Sequence, residues 1–231
     1  MISDSNRSPG VRPAPQVPAR AVRASHQGAD QPLRWLMVTF VTTVCLLAAM
    51  VVFGGSARAD TWAVNRDAST IAFSGTHAGA GFTGEFKTWR AEITFNPDDL
   101  ASSKADVRVD LTSATTGNLT YDKTLPSADW FNTNVSSEGR FVTTDFRKTD
   151  DGAFEADGTL SLRGIDVPVT LAFTFEQNGD TAILKGKTAL KRMAFDIGKG
   201  SDATGAWVSL DIPVTVHVSM TRSASGVGPK T

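Results

Sequence analysis

Trp207 to Met220 reads WVSLDIPVTVHVSM, in which Val208, Leu210, Ile212, Val214, Val216 and Val218 alternate with Ser209, Asp211, Pro213, Thr215, His217 and Ser219. Successive side chains of an extended backbone point to opposite faces, so one face here is apolar and the other wet, the pattern of a half-buried β-strand. Val167, Val169, Leu171, Phe173 and Phe175 repeat it, as do Val107, Val109 and Leu111. Weaker copies span Trp62 to Arg66, Thr70 to Thr76, Phe86 to Phe95, Arg140 to Lys148, Ala153 to Leu162 and Thr181 to Leu190. Asn96-Pro97-Asp98-Asp99, Asp150-Asp151-Gly152 and Gln177-Asn178-Gly179-Asp180 supply turns between several of them. About eight or nine strands at roughly ten-residue spacing predict an all-β fold, an antiparallel barrel or sandwich, with one short helical insertion over Asn118 to Ser127.

The 231-residue chain is 41% hydrophobic and 20% charged, enough apolar matter for a core. Its one cysteine, Cys45, excludes an internal disulfide and a four-cysteine zinc site. Removing the six basic and two acidic residues of positions 1–59 from totals of 23 and 24 leaves a balance of -5, the wrong sign for a nucleic-acid partner.

Positions 1–34 carry five of the ten prolines, Arg7, Arg12, Arg20, Arg23 and Arg34, and few large apolar residues, which predicts a disordered basic region. It abuts WLMVTFVTTVCLLAAMVVF, Trp35 to Phe53, a run long enough to span a bilayer. Ala57-Arg58-Ala59 then forms the small-x-small pattern of a signal-peptidase site. Residues 35–59 therefore read as a signal peptide cleaved after Ala59, the favoured reading, or as a retained transmembrane anchor. Either one exports residue 60 onward, to a periplasm or another exported compartment. Residues 222–231 read as a flexible tail.

A closed barrel of about eight strands has room for one elongated ligand, whereas a sandwich does not. The exported part holds Trp62, Trp89, Trp130, Trp207 and most of the 13 Phe, but a single Tyr, Tyr121. Rings without hydroxyl groups suit a dry cavity because burial leaves no donor unsatisfied. The same rings suit a filled core, and composition leaves both open.

The order of motifs adds to this. Trp62-Ala-Val-Asn-Arg-Asp67, Ser69-Thr-Ile-Ala-Phe73, His77, Gly84-Glu-Phe-Lys-Thr-Trp89 and Ile93-Thr-Phe-Asn-Pro97 are followed by Thr116-Gly117-Asn118 and by Thr124-Leu125-Pro126-Ser127-Ala128-Asp129-Trp130-Phe131. Gly158-Thr-Leu-Ser-Leu162, Gly164, Val167-Pro-Val-Thr-Leu171 and Phe195-Asp-Ile-Gly198 complete the set. Over residues 61 to 221 this series resembles the YceI-like family of exported lipid- and polyisoprenoid-binding proteins. The resemblance implies an extended, antiparallel, lipocalin-like barrel over residues 60–221 that binds, without catalysis, the chain of an isoprenoid lipid, polyisoprenoid or quinone-type. One departure concerns the head-group end: many members carry Arg-Asp and a His before the Leu of the insertion, where Tyr121-Asp122 and Thr124 stand here. The Lys123-Thr-Leu-Pro126 version resembles a branch often associated with membrane-bound b-type cytochromes. Such a cytochrome, as an alternative role for a filled barrel, and a homodimer are the protein partners that the reading leaves open.

The sites expected to touch ligand are Phe73, His77, Phe86, Trp89, Leu125, Trp130, Phe131 and Phe195. His77 continues the inward series Ile71, Phe73, Gly75 if no bulge intervenes, and would donate to a quinone carbonyl or a phosphate at the mouth; the alternative is a buried imidazole held by a backbone group. His217 falls on a polar face. Pro126 disfavours helix at Leu125, so the insertion is expected to turn there and aim Leu125, Trp130 and Phe131 at the mouth, with Asp129 tying down backbone. Asp196 is a second candidate for backbone capping. The glycine-rich run Gly75 to Gly84 is expected to be a flexible loop at the mouth. No nucleophile elbow, metalloprotease helix, P-loop or dinucleotide fingerprint occurs, so no catalytic residue, metal or cofactor is assigned beyond the bound lipid or quinone.

Overall fold

The computed structural model describes residues 60–223. The basic N-region, the signal or anchor segment and the tail beyond Ser223 lie outside the described residues. Ten strands form one antiparallel sheet: β1 (Thr61–His77), β2 (Ala80–Phe86), β3 (Trp89–Thr94), β4 (Lys104–Asp110), β5 (Ala114–Thr115), β6 (Glu138–Lys148), β7 (Phe154–Leu162), β8 (Ile165–Asn178), β9 (Thr181–Lys191) and β10 (Asp211–Arg222). Pairing of β10 with β1, from Trp62 opposite Arg222 to Phe73 opposite Val214, closes the sheet into a ring of eight strands. β2 and β5 lie outside that ring, extending the wall above β3 and β4. Among the described residues the fold is an antiparallel eight-stranded barrel with one short α-helix, α1 (Leu119–Thr124).

Two bulges decide which residues face inward. The β1–β10 register shifts between Asn65 and Thr70, so Trp62 and Val64 pack into the core on even positions and Ile71 and Phe73 on odd ones. The two weak strands expected at Trp62–Arg66 and Thr70–Thr76 are thus one strand with three extra residues at the bulge, pinned where the Ser69 hydroxyl accepts from the Ser219 N–H at 3.0 Å. A second shift, between Thr143 and Asp145, lets Phe146 follow Phe141 and Thr143 to the inside; strict alternation would have buried Asp145.

The expected strand Phe86–Phe95 is instead split at Lys87-Thr88, where the chain passes from β1's upper neighbour to its lower one. The glycine-rich run is not a loop but most of a hairpin, turning at Ala78-Gly79 with φ of 50° and 83°. Gly84 belongs in that hairpin's strand because a Cβ there would collide with the Phe73 ring lying across it. The strand expected to begin at Trp207 begins at Asp211: only Val208 makes a bridge, to His77, and Leu210 is exposed.

One end of the barrel is plugged. Phe95 sits with its ring centroid 4.8–5.5 Å from those of Phe146, Phe154, Phe173 and Phe175. The Trp62 indole donates to the Phe95 carbonyl at 3.0 Å, so the buried N–H is satisfied. The loops between β5 and β6 and between β9 and β10 gather at the opposite end.

Candidate functional site

Between the plug and those loops the barrel encloses a cavity of about 240 Å³. Its wall is made by inward positions such as Trp89, Ala91 and Ile93 on β3, Val107 and Val109 on β4, and Val214, Val216 and Val218 on β10. Leu125, Trp130 and Phe131 from the insertion, Phe195 and Ile197 from the turn after β9, and Val208 roof it. Rings run continuously from wall to roof, with Phe73 5.2 Å from Phe86 and Phe86 6.1 Å from Phe131. Besides the two indoles, the polar side chains in the lining are Thr143, Thr188 and Arg192. The Thr143 hydroxyl is spent on the β4 backbone, accepting from Ala105 N–H at 2.8 Å.

Buried polar contacts hold the roof. Even positions of β9 face inward, and continuing that series through Leu190 carries Arg192 inside, where it is 2% exposed. Its guanidinium donates to Asp202 Oδ2 at 2.8 Å and to the carbonyls of Ile197, Asp202, Val208 and Ser209. Asp202 also accepts from the N–H groups of Trp207 and Val208 at 3.1 and 2.8 Å. Burial alone would raise the Asp202 carboxyl, but these N–H groups and the guanidinium outweigh it and hold it below the usual carboxylate range.

Asp129 links the two roof segments. It accepts from the Ser201 hydroxyl and from the N–H groups of Gly200 and Ser201 at 2.7 and 2.9 Å, which depress its pKa. Arg163, at the β7–β8 turn with φ of 55°, donates to the carbonyls of Ala128, Phe195 and Asp196. Asp196, in the left-handed region, pairs with Lys199 instead of capping backbone. Asp122 accepts from the Thr116 hydroxyl and N–H and from the Thr115 hydroxyl, and its carboxyl is lowered accordingly.

Asn118 caps α1, accepting from Thr120 and Tyr121 N–H. The helix stops at Thr124, yet Leu125 keeps helical dihedrals despite preceding Pro126. The turn that aims the rings comes afterward, where Phe131 N–H reaches back to the Leu125 carbonyl at 2.8 Å.

Of the residues expected to touch ligand, Phe73, Phe86, Trp89, Leu125, Trp130, Phe131 and Phe195 line the cavity. His77 does not. The bridge to Val208 lays the Trp207–Ser209 segment beside it, so the half-buried imidazole sits at the rim with Nδ1 3.0 Å from the Tyr121 hydroxyl. Its hydrogen-bond partner is thus a side chain and not a backbone group. His217 is exposed. Among the described residues no group of three or more His, Cys, Asp or Glu side chains converges as a metal site would require.

The YceI-like domain family model matches residues 62–220, the whole barrel. The chain belongs to the YceI-like family. This YceI-like chain is 28% identical over 181 residues to a UPF0312 protein of Ectopseudomonas mendocina, spanning 73% of this chain and 95% of that one. A UPF0312 protein of Vibrio parahaemolyticus is 30% identical over 136 residues, covering 56% and 72%. Among solved structures, BcnA of Burkholderia cenocepacia superposes with a TM-score of 0.65 at 24% identity, covering 68% of this chain and 99% of its own. A polyisoprenoid binding domain from Saccharophagus degradans superposes at 0.56 and 13% identity, covering 71% and 99%. At such identities the superpositions establish the shared fold.

Of the polar framework of the YceI-like barrel's roof, sequence reasoning found Asp129, which ties down backbone as expected, and missed Arg163 and the Arg192–Asp202 pair. Arg192 was reachable by extending the β9 alternation one step, whereas nothing local in Gly198-Lys-Gly-Ser-Asp202 marks Asp202 as its partner.

Proposed function

We propose that this protein is an exported, non-catalytic carrier of an isoprenoid lipid, polyisoprenoid or quinone-type, whose tail lies in the barrel interior. The observation that carries the reading is chemical: apart from two indoles and the Thr188 hydroxyl the cavity is lined by hydrocarbon, and its other polar members, Thr143 and Arg192, are already hydrogen-bonded within the protein. Such a lining rewards apolar carbon and offers a polar head few partners. Burial is worth roughly 0.8 kcal/mol per CH₂, so each isoprene unit would contribute on the order of 3 kcal/mol before costs. A cavity of about 240 Å³ suits a slender tail. The head group would stay at the rim, where His77 and Tyr121 offer polar atoms. The likeness to a polyisoprenoid binding domain supports the same ligand class.

The alternative, a packed barrel that serves a membrane b-type cytochrome, has no specific observation in its favour, and the interior holds a cavity. Native mass spectrometry tests the proposal on protein gently extracted from its own compartment and on protein offered isoprenoid quinones. A mass increment matching one isoprenoid lipid is expected; bare protein in both samples would end the carrier reading.

A further inference from the structure

The floor of the cavity lies at the aromatic plug. Phe95, Phe146 and Phe173 line the interior, whereas Phe154 and Phe175 pack against Phe95 at 5.3 and 4.8 Å without reaching the cavity. Phe154 also stacks on Phe173, and Trp62 meets Phe175 edge to face at 5.5 Å, so a second layer of rings backs the first. Trp130, Phe131 and Phe195 bound the space from the roof. A tail that enters is therefore stopped at the floor, and the room between the two ends limits its length.

That room is small. A cavity of about 150 Å³ takes up benzene, a six-carbon guest, so one of about 240 Å³ has space for roughly ten carbons, the size of two isoprene units.

Phe146 owes its place in the floor to the β6 bulge. The register shift between Thr143 and Asp145 turns it inward, where its ring lies 5.5 Å from that of Phe95 and 6.2 Å from that of Phe173. Its cross-strand neighbour Ala156, also in the lining, is too small to fill the space that the ring takes up. Phe146 is half-buried, and the hydrogen bond that anchors the plug runs from the Trp62 indole to the Phe95 carbonyl without it. Its ring can thus be removed with less harm to the plug than that of Phe95.

We propose that the barrel encloses a tail of about two isoprene units and that Phe146 is the stop that sets this length. This names the length class of the ligand and rests on the carrier reading. Units of a longer lipid stay outside, in water, and add little to affinity. Each enclosed unit is worth about a hundredfold in Kd before costs.

The test titrates the full native chain and Phe146→Ala with isoprenoid alcohols of one, two, three and four units. In the native chain Kd is expected to fall about tenfold or more from one unit to two, and by less than about threefold from two to four. Loss of the ring in Phe146→Ala leaves room for about one further unit, so tightening should continue to three units, by about tenfold or more. Comparison of the two chains cancels uptake by any segment outside the barrel. Should Phe146→Ala fail to fold by circular dichroism, Phe146→Leu replaces it and is expected to shift the break in the same direction.

Tightening of the native chain by the same factor through four units overturns the length limit and leaves the carrier reading standing. A break at two units in the native chain and in the folded variant alike overturns Phe146 as the stop. A native chain that binds none of the alcohols removes the carrier reading, and the length limit with it.

Discussion

Arg192 Nη2 lies 2.8 Å from Asp202 Oδ2 in an ion pair whose side chains are 1% and 4% exposed, directly above the barrel cavity. Arg192 spends its donors on five backbone or carboxylate acceptors of the Ile197–Ser209 segment, so the pair fixes the path of the roof. Replacing Arg192 by Leu strands buried acceptors and is expected to cost about 3–5 kcal/mol, as breaking a buried pair from one side does. Urea unfolding checks this; a midpoint shift worth under about 1 kcal/mol would show that the roof is held otherwise.

The two ends of the barrel should respond differently to losing a ring. Phe95→Ala removes the centre of the plug and should cost about 3–5 kcal/mol of stability. Trp130 is half-buried, lines the cavity and has the Arg192 guanidinium 5.9 Å from its ring, so Trp130→Ala should lower lipid retention by more than it lowers stability. Urea midpoints and lipid occupancy on the same variants separate the effects. A large stability loss in Trp130→Ala with occupancy per folded molecule unchanged would retire it as a ligand residue.

Gly84→Ala places a methyl group against the Phe73 ring and is expected to destabilise by about 1–3 kcal/mol. Phe73→Leu in the same chain should recover part of that loss, because the clash is with the ring. Additive effects in the double-mutant cycle would locate the strain elsewhere.

Acid should loosen the roof first. Asp122, Asp129 and Asp202 all titrate below their ordinary range in the folded protein. A carboxyl depressed in this way contributes stability that is complete above its unfolded value, about 3.9, and is lost as pH falls through the folded one. Below about pH 4, amide exchange at Thr116, Gly200, Ser201 and Val208 should therefore accelerate while the β9–β10 ladder stays protected. Simultaneous loss of both would mean that the roof is not an independent unit.

The barrel was legible in the sequence because alternation along Ile212 to Val218 and Val167 to Phe175 reports the two faces of a strand directly. Alternation fails where a bulge inserts an odd number of residues, one in β6 and three in β1, and so Phe146 and the joined halves of β1 were not legible. The aromatic lining was readable as composition, since rings without hydroxyls have few places to go but inward. Arg163, Asp129 and Asp202 act on partners up to 72 residues away, and no local pattern encodes such pairings. His77 kept its expected side of β1, but the Val208 bridge beside it sets it at the rim and not in the cavity wall.

The most direct test of the account is the stoichiometry of a short-chain isoprenoid alcohol on the native chain and on a variant with the interior filled, Ala91→Leu/Val107→Phe, both positions being in the cavity lining. The account predicts one bound molecule per native chain and none on the filled variant, with the variant still folded by circular dichroism. Equal binding by the two would place the lipid outside the barrel and contradict the central claim.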